Sequence, residues 1–231
     1  MQIPEKIKAY HSDLTAWRRD LHAHPELGFD EHRTSDFVAK KLGEFGVTVH
    51  RNVGKTGVVG VLQTGNGPTI GLRCDMDALP IDEIAEVPFK STRPGVMHAC
   101  GHDGHTTMLL GAARYLAETK NFDGTVYFIF QPAEEGIGGA LAMLEDKLFE
   151  RFPRLRVASV ENGSEFLGDH PGFDHRHACT VAVLGDEQAR DADGRQAAPD
   201  IVGTGHLIVD SWAHICCQAC LFGKVAPDGV A

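Results

Sequence analysis

Long apolar runs are missing from this sequence, and so is any excess of basic residues. No stretch approaches the roughly 18–20 apolar residues of a membrane-spanning helix, so no membrane span is expected. The 22 Lys and Arg residues are outnumbered by 32 Asp and Glu, for a formal charge of −10. A nucleic-acid binder would carry a basic face, and that class is set aside. The amino-terminal stretch MQIPEKIKAYHSDL lacks the apolar core of a secretion signal, which points to a cytoplasmic protein. Without such a signal, the cysteines at 74, 100, 179, 216, 217 and 220 read as thiols or metal ligands and not as a disulfide framework. Hydrophobic residues make up 42% of the 231 positions and charged residues 23%, a balance that supports a packed core.

Within that frame the apolar pattern alternates between two periods. Ile7, Leu14, Trp17 and Leu21 lie along one face of a helix predicted over 5–24. A second helix is expected over 31–45, with Asp30 as N-cap and Gly46 just past its end. Short β-rich runs follow at 47–53, 57–64 and 69–75, separated by glycine-containing turns. Helices are predicted over 104–119 and 138–149, and TVYFIFQ at 125–131 has the continuity of a strand buried on both faces. Strands alternating with helices give an α/β layered domain. Beyond about residue 153 the pattern weakens, and only 180–185 and 206–215 read as ordered. The expected division is therefore a domain over 1–163 and a divergent segment over 164–231.

The densest chemistry lies in Met97-His98-Ala99-Cys100-Gly101-His102-Asp103-Gly104-His105, where His98, Cys100, His102, Asp103 and His105 are potential ligands. Thiolate and imidazole together suit Zn, Mn, Co or Ni better than Mg or Ca. A His-rich surface loop at a helix start is the plainer reading. Gln131-Pro132-Ala133-Glu134-Glu135-Gly136 follows the buried strand, at the strand end where open α/β sheets gather their functional loops. Two adjacent carboxylates divide naturally into one that binds a metal and one that takes a proton from water, although a solvated acidic turn fits an isolated pair. Arg73-Cys74-Asp75-Met76-Asp77 also ends a strand, and Asp75 or Asp77 could orient a ligand histidine or form an Asx turn.

Taken together, RRDLHAHPELGFDE at 18–31, LRCDMDALP at 72–80, MHACGHDGHTTMLLGAA at 97–113 and FQPAEEGIGGALAMLEDKLFERFP at 130–153 resemble the M20 metallopeptidases. The similarity is to their amidohydrolase branch of hippurate hydrolases, N-acyl-amino-acid hydrolases and auxin-conjugate hydrolases, and it covers residues 1–153. It implies a three-layer α/β metallopeptidase catalytic domain, of which the amino-terminal part is present. It also implies two divalent metals per subunit, an N-acyl amino acid as small-molecule substrate, and a homo-oligomer. Cys100, His102 and Glu135 are implied as ligands, Glu134 as general base and Asp77 as the carboxylate that orients a ligand. His22, His24, Pro25 and Glu26 match the family's amino-terminal signature and read as structural.

Departures from the family begin after residue 153. The next ligand, usually histidine, falls at Glu161; sister branches use glutamate there, and an ordinary exposed acid is the alternative. The lid and dimerisation domain survives as a degenerate remnant, with Gln196 where its motif has histidine. The last family ligand has no counterpart, so a truncated or frameshifted reading frame and fewer than two metals are expected. His175, His177 and Cys179, and the group Cys216, Cys217 and Cys220, read as a polar loop and as thiols. Two functions follow: a metal-dependent amidohydrolase of the hippurate-hydrolase type, or a catalytically inert metal-binding fragment of one.

Overall fold

A computed structural model describes residues 3–153 together with the strands at 157–162 and 179–184. The order is α1 (Glu5–Lys8), α2 (His11–Ala23), α3 (His32–Glu44), β1 (Thr48–Val53), β2 (Gly57–Gln63), β3 (Thr69–Asp75), α4 (His102–Thr119), β4 (Thr125–Gln131), α5 (Gly139–Glu145), α6 (Leu148–Arg151), β5 (Val157–Asn162) and β6 (Cys179–Leu184). All the strands share one sheet in the order β1-β2-β4-β3-β5-β6. β3 runs parallel to β4 and β5, and the other neighbours are antiparallel.

Period-two alternation sorts the strand side chains between two apolar layers. Val58, Leu62, Val126, Phe128 and Phe130 pack with Val38 and Leu42 of α3 and Leu109 and Leu110 of α4. Val59 and Ile129 turn the other way, onto Met143 of α5, Leu148 of α6 and Phe152. The sheet is thus covered on both faces, as the α/β three-layer expectation requires. Among the described residues, no helix is long and apolar enough to cross a membrane.

Most strands and α4 fall where the apolar pattern places them, β5 (Val157–Asn162) forms in a stretch where no strand is expected, and two of the predicted helices are each broken once. The predicted helix over 5–24 breaks between α1 and α2 at Tyr10, which is buried under the Arg114 guanidinium and donates its hydroxyl to Glu118 at 2.5 Å. The predicted helix over 138–149 breaks at Asp146 and Lys147: Asp146 accepts the N–H of Gly54 at 3.2 Å, and Lys147 turns to φ 61°. The start of α3 also differs from expectation, because Glu31 and not Asp30 is its N-cap residue. The free N–H groups there are taken by Glu26, whose carboxylate accepts from Arg33 at 3.0 Å and Thr34 at 2.8 Å. That gives the structural role read for Glu26 a specific form, a helix cap supplied from outside the helix.

Leu110 sits at 0% exposure between α4 and the sheet. Leu110→Ala is expected to cost about 2–5 kcal/mol of unfolding free energy, because the packed layer closes over the void only in part. Urea denaturation measures it, and a loss below 1 kcal/mol would mean that the site collapses freely.

His175, His177, Gln196, the run 206–215 and the Cys216–Cys220 group lie outside the described residues. The run at 180–185 corresponds to β6, which pairs along the whole of β5.

Candidate metal centre

Parallel pairing of β3 with β4 sets Asp75 level with Gln131, so both strands release their loops at one edge of the sheet. The loop after β3 brings Asp77, the loop after β4 brings Glu134 and Glu135, and α4 starts between them. Gly101 precedes α4 at φ 88°, a left-handed conformation that glycine adopts without strain. That turn carries Cys100 outward and His102 inward.

His102 is buried, and its Nδ1 faces the Asp77 carbonyl at 2.9 Å and Asp77 Oδ1 at 3.3 Å. A carbonyl can only accept, so Nδ1 carries a proton, and Nε2 is the nitrogen that would give up its own proton to meet a metal. Nε2 looks toward three carboxylates: Asp75 at 3.6 Å, Glu134 at 3.9 Å and Glu135 at 3.9 Å. Ligand atoms of Cys100, His102 and Glu135 all lie within 4.8 Å of one another, and the same holds for Asp75, His102 and His105.

Charge is concentrated where burial would normally forbid it. Desolvation alone lowers the His102 pKa, but the Asp77 hydrogen bond and the charges of Asp75, Asp77 and Glu134 raise it to about 9. Burial works against the Asp75 carboxylate, yet His105, His102 and Arg73 hold its pKa down at about 2. Asp77 is lowered too, against its own desolvation, by His102 and by the backbone N–H groups of Glu135 and Glu134. Glu134 moves the other way, raised by desolvation and then by the Asp75 charge.

Among the expected site residues, Cys100, His102, Glu134, Glu135 and Asp77 converge here. Glu134 is the most open of the carboxylates, at 40% side-chain exposure against 28% for Glu135. Asp77 is buried and does two things, because its Oδ2 also accepts the N–H of Glu135 at 2.9 Å. Glu161 lies on β5, and its side chain is outside the described residues. Two further members of the histidine-rich run turn elsewhere. Asp103 bonds to Arg18 and His22, and His98 is a buried ring whose nitrogens meet no protein partner among the described residues. Burial pulls the His98 pKa down to about 4, which keeps it neutral.

The sequence alone leaves Asp75 open between orienting a ligand and forming a turn, and gives His105 no separate role. Here Asp75 Oδ1 sits 2.6 Å from His105 Nδ1, while His105 Nε2 is buried with no partner among the described residues. A carboxylate on one ring nitrogen with the other nitrogen left open is the arrangement of a ligating histidine. Thiol, imidazole and carboxylate donors with that buried orphan nitrogen fit a borderline divalent transition metal.

A sequence profile of peptidase family M20/M25/M40 matches residues 71–195, more than half of the chain. The chain belongs to that family. A hippurate hydrolase from Campylobacter jejuni is 61% identical over 151 residues, which are 65% of this chain and 39% of that protein. An N-acyl-L-amino acid amidohydrolase from Geobacillus stearothermophilus is 44% identical over 147 residues, covering 62% of this chain and 40% of that one. The M20 fold is shared with a dinuclear metal-binding peptidase from Bacillus subtilis, at TM-score 0.63 and 40% identity, covering 68% of this chain and 45% of that one. This chain therefore spans about 40% of the length of these two curated M20 relatives, 39% and 40%.

Proposed function

We propose that this chain carries the amino-terminal half-site of a metal-dependent amidohydrolase acting on N-acyl amino acids of the hippurate type. The observation that carries the reading is the convergence of Cys100, His102 and Glu135 within 4.8 Å, with the Glu134 carboxylate beside them. Cys100, His102 and Glu135 would hold a divalent metal (Mn, Zn, Co or Ni), whose Lewis acidity would polarise the amide carbonyl and acidify the attacking water. Glu134 is the general base: it takes the proton from that water and delivers it to the departing amine. Its raised pKa suits both tasks, since a stronger carboxylate base is also a usable acid. Asp77 fixes the His102 ring through Nδ1 and so aims Nε2 at the centre.

Glu161 is proposed as a further ligand on the strength of register. Arg73 pairs with Ser159, and continuing that register two residues sets Glu161 level with Asp75 at the same edge. The names of the relatives support the N-acyl amino acid as substrate, in particular the hippurate hydrolase at 61% identity.

The test is metal analysis of the purified chain followed by hydrolysis assays on hippurate and N-acetyl amino acids. The expected result is fewer than two metals per chain and amino-acid release that stops on chelation. A folded chain that takes up none of the four metals refutes the reading. Metal uptake without turnover on any N-acyl amino acid leaves the inert metal-binding fragment as the description of this chain.

A further inference from the structure

Glu31 occupies the N-cap position of α3, yet its carboxylate does not serve that helix. The side chain is fully buried and points across the fold. Its Oε1 accepts the N–H of Ala133 at 2.7 Å, and its Oε2 accepts the hydroxyl of Thr56 at 2.6 Å. Glu26 caps α3 in its place. A carboxylate is costly to bury this completely, and the N–H and O–H bonds it accepts offset part of that cost.

What Glu31 grips is a strained point. Ala133 is buried with φ 48°, in the left-handed region that disfavours a side chain unless the surroundings hold it. Glu134 and Glu135 are the next two residues. On the far side of this turn Asp77 accepts the Glu135 N–H at 2.9 Å, and Gly139 donates to the Ala133 carbonyl at 2.9 Å. A β-carbon on Gly139 would stand 1.6 Å from the Pro132 carbonyl oxygen, so the chain folds back against the turn with no spare room. The acid pair therefore hangs between two buried carboxylates, Asp77 from the loop after β3 and Glu31 from the start of α3.

We infer that Glu31 is a positioning residue for the acid pair, its carboxylate tethering Ala133 so that Glu135 reaches His102 and Cys100. The inference rests on the metal-centre reading above and adds to it a residue 102 positions earlier in the chain than the atom it holds. Glu31 touches neither metal nor substrate and acts through the backbone alone.

Co(II) titration of the full chain, followed by the visible absorption of the bound ion, tests this without any turnover. Glu31→Leu fills the volume and removes the acceptor; Co(II) affinity should fall about 10–100-fold, the usual cost of losing a group that orients a ligand, with shifted absorption bands. Glu31→Gln should keep affinity and bands, because its amide oxygen can accept from Ala133 while its NH₂ donates to Thr56, whose hydroxyl also accepts. A purely structural residue would lower the melting temperature of Glu31→Leu and leave the Co(II) spectrum of the folded protein unmoved; that outcome overturns the inference. Glu31→Gln behaving like Glu31→Leu would tie the effect to charge and overturn the tether as well. Should Glu31→Leu not fold, Thr56→Val decides. It loosens the carboxylate from one side, and bands identical to those of the unsubstituted chain would count against the tether. Failure of the underlying reading shows elsewhere, as equal Co(II) binding by the unsubstituted chain and Glu135→Gln, and takes the inference with it.

Discussion

Glu135→Gln is expected to empty the centre of metal, whereas Glu134→Gln keeps the metal and lowers amide hydrolysis by about 10²–10⁴-fold, the usual contribution of a general base. The two residues are adjacent, and their side chains both come within 3.9 Å of His102 Nε2. Their burial and surroundings differ. The Glu135 N–H is held by buried Asp77, and its carboxylate lies within 4.8 Å of both the thiol and the imidazole. Charge and a fixed direction are what a ligand needs, and a neutral amide oxygen supplies too little of the first. Glu134 is more exposed, and its pKa is raised by desolvation and the Asp75 charge, which are the conditions of a group that exchanges protons with water. Metal content and turnover measured on the same preparations check the assignment. Loss of metal in Glu134→Gln with retention in Glu135→Gln would reverse the roles.

Asp103→Asn is expected to destabilise the metal-free chain by about 3–5 kcal/mol, because it strands buried positive charge. The Asp103 carboxylate is at 0% side-chain exposure and accepts from Arg18 Nε at 2.8 Å and from His22 Nδ1 at 2.7 Å. His22 continues through Nε2 to buried Glu83 at 3.1 Å, and Glu83 accepts the Ser91 N–H at 2.6 Å. This chain of bonds joins α2, the first turn of α4 and the loop before Cys100. Its pH dependence has two sides. Burial opposes the Asp103 charge, but the His22 hydrogen bond and neighbouring positive charges lower its pKa from 3.8 to about 2. That contribution is complete above pH 3.8 and disappears as pH falls toward 2. Burial likewise opposes protonation of His22, and Asp103 and Glu83 override it, raising the pKa above 6.5. That part is complete below pH 6.5 and is lost as pH rises through the higher folded value. Urea denaturation of both proteins with chelator present should show the widest gap between pH 3.8 and 6.5. A gap independent of pH would remove these two groups from the account.

The sequence pattern reads well where the determinant is local. Cys100 and His102 lie two residues apart on either side of a glycine, so any turning backbone brings them together. The run TVYFIFQ could hardly be other than a buried strand, and the acids after it inherit their place at the strand end. Contacts between distant segments leave no such trace. Asp75 meets His105 across 30 positions, His22 meets Asp103 across 81, and Tyr10 breaks its helix for a glutamate 108 residues on. Glu31 is hardest of all, since a glutamate at a helix start looks like an ordinary contributor to that helix. Only the fold shows that Glu26 has taken over the cap and freed Glu31 for Ala133.

The sheet order bears on how the chain is made. β2 and β3 follow one another in sequence, but β4 lies between them, and β4 is synthesised after the whole of α4. A nascent chain released only as far as residue 124 has two strand edges facing an empty slot, each with unpaired N–H and C=O groups open to foreign strands. The strand that closes the slot is the one that delivers Glu134 and Glu135. During translation, then, the closing of the slot between β2 and β3 and the acid pair of the candidate centre arrive with the same short stretch of chain.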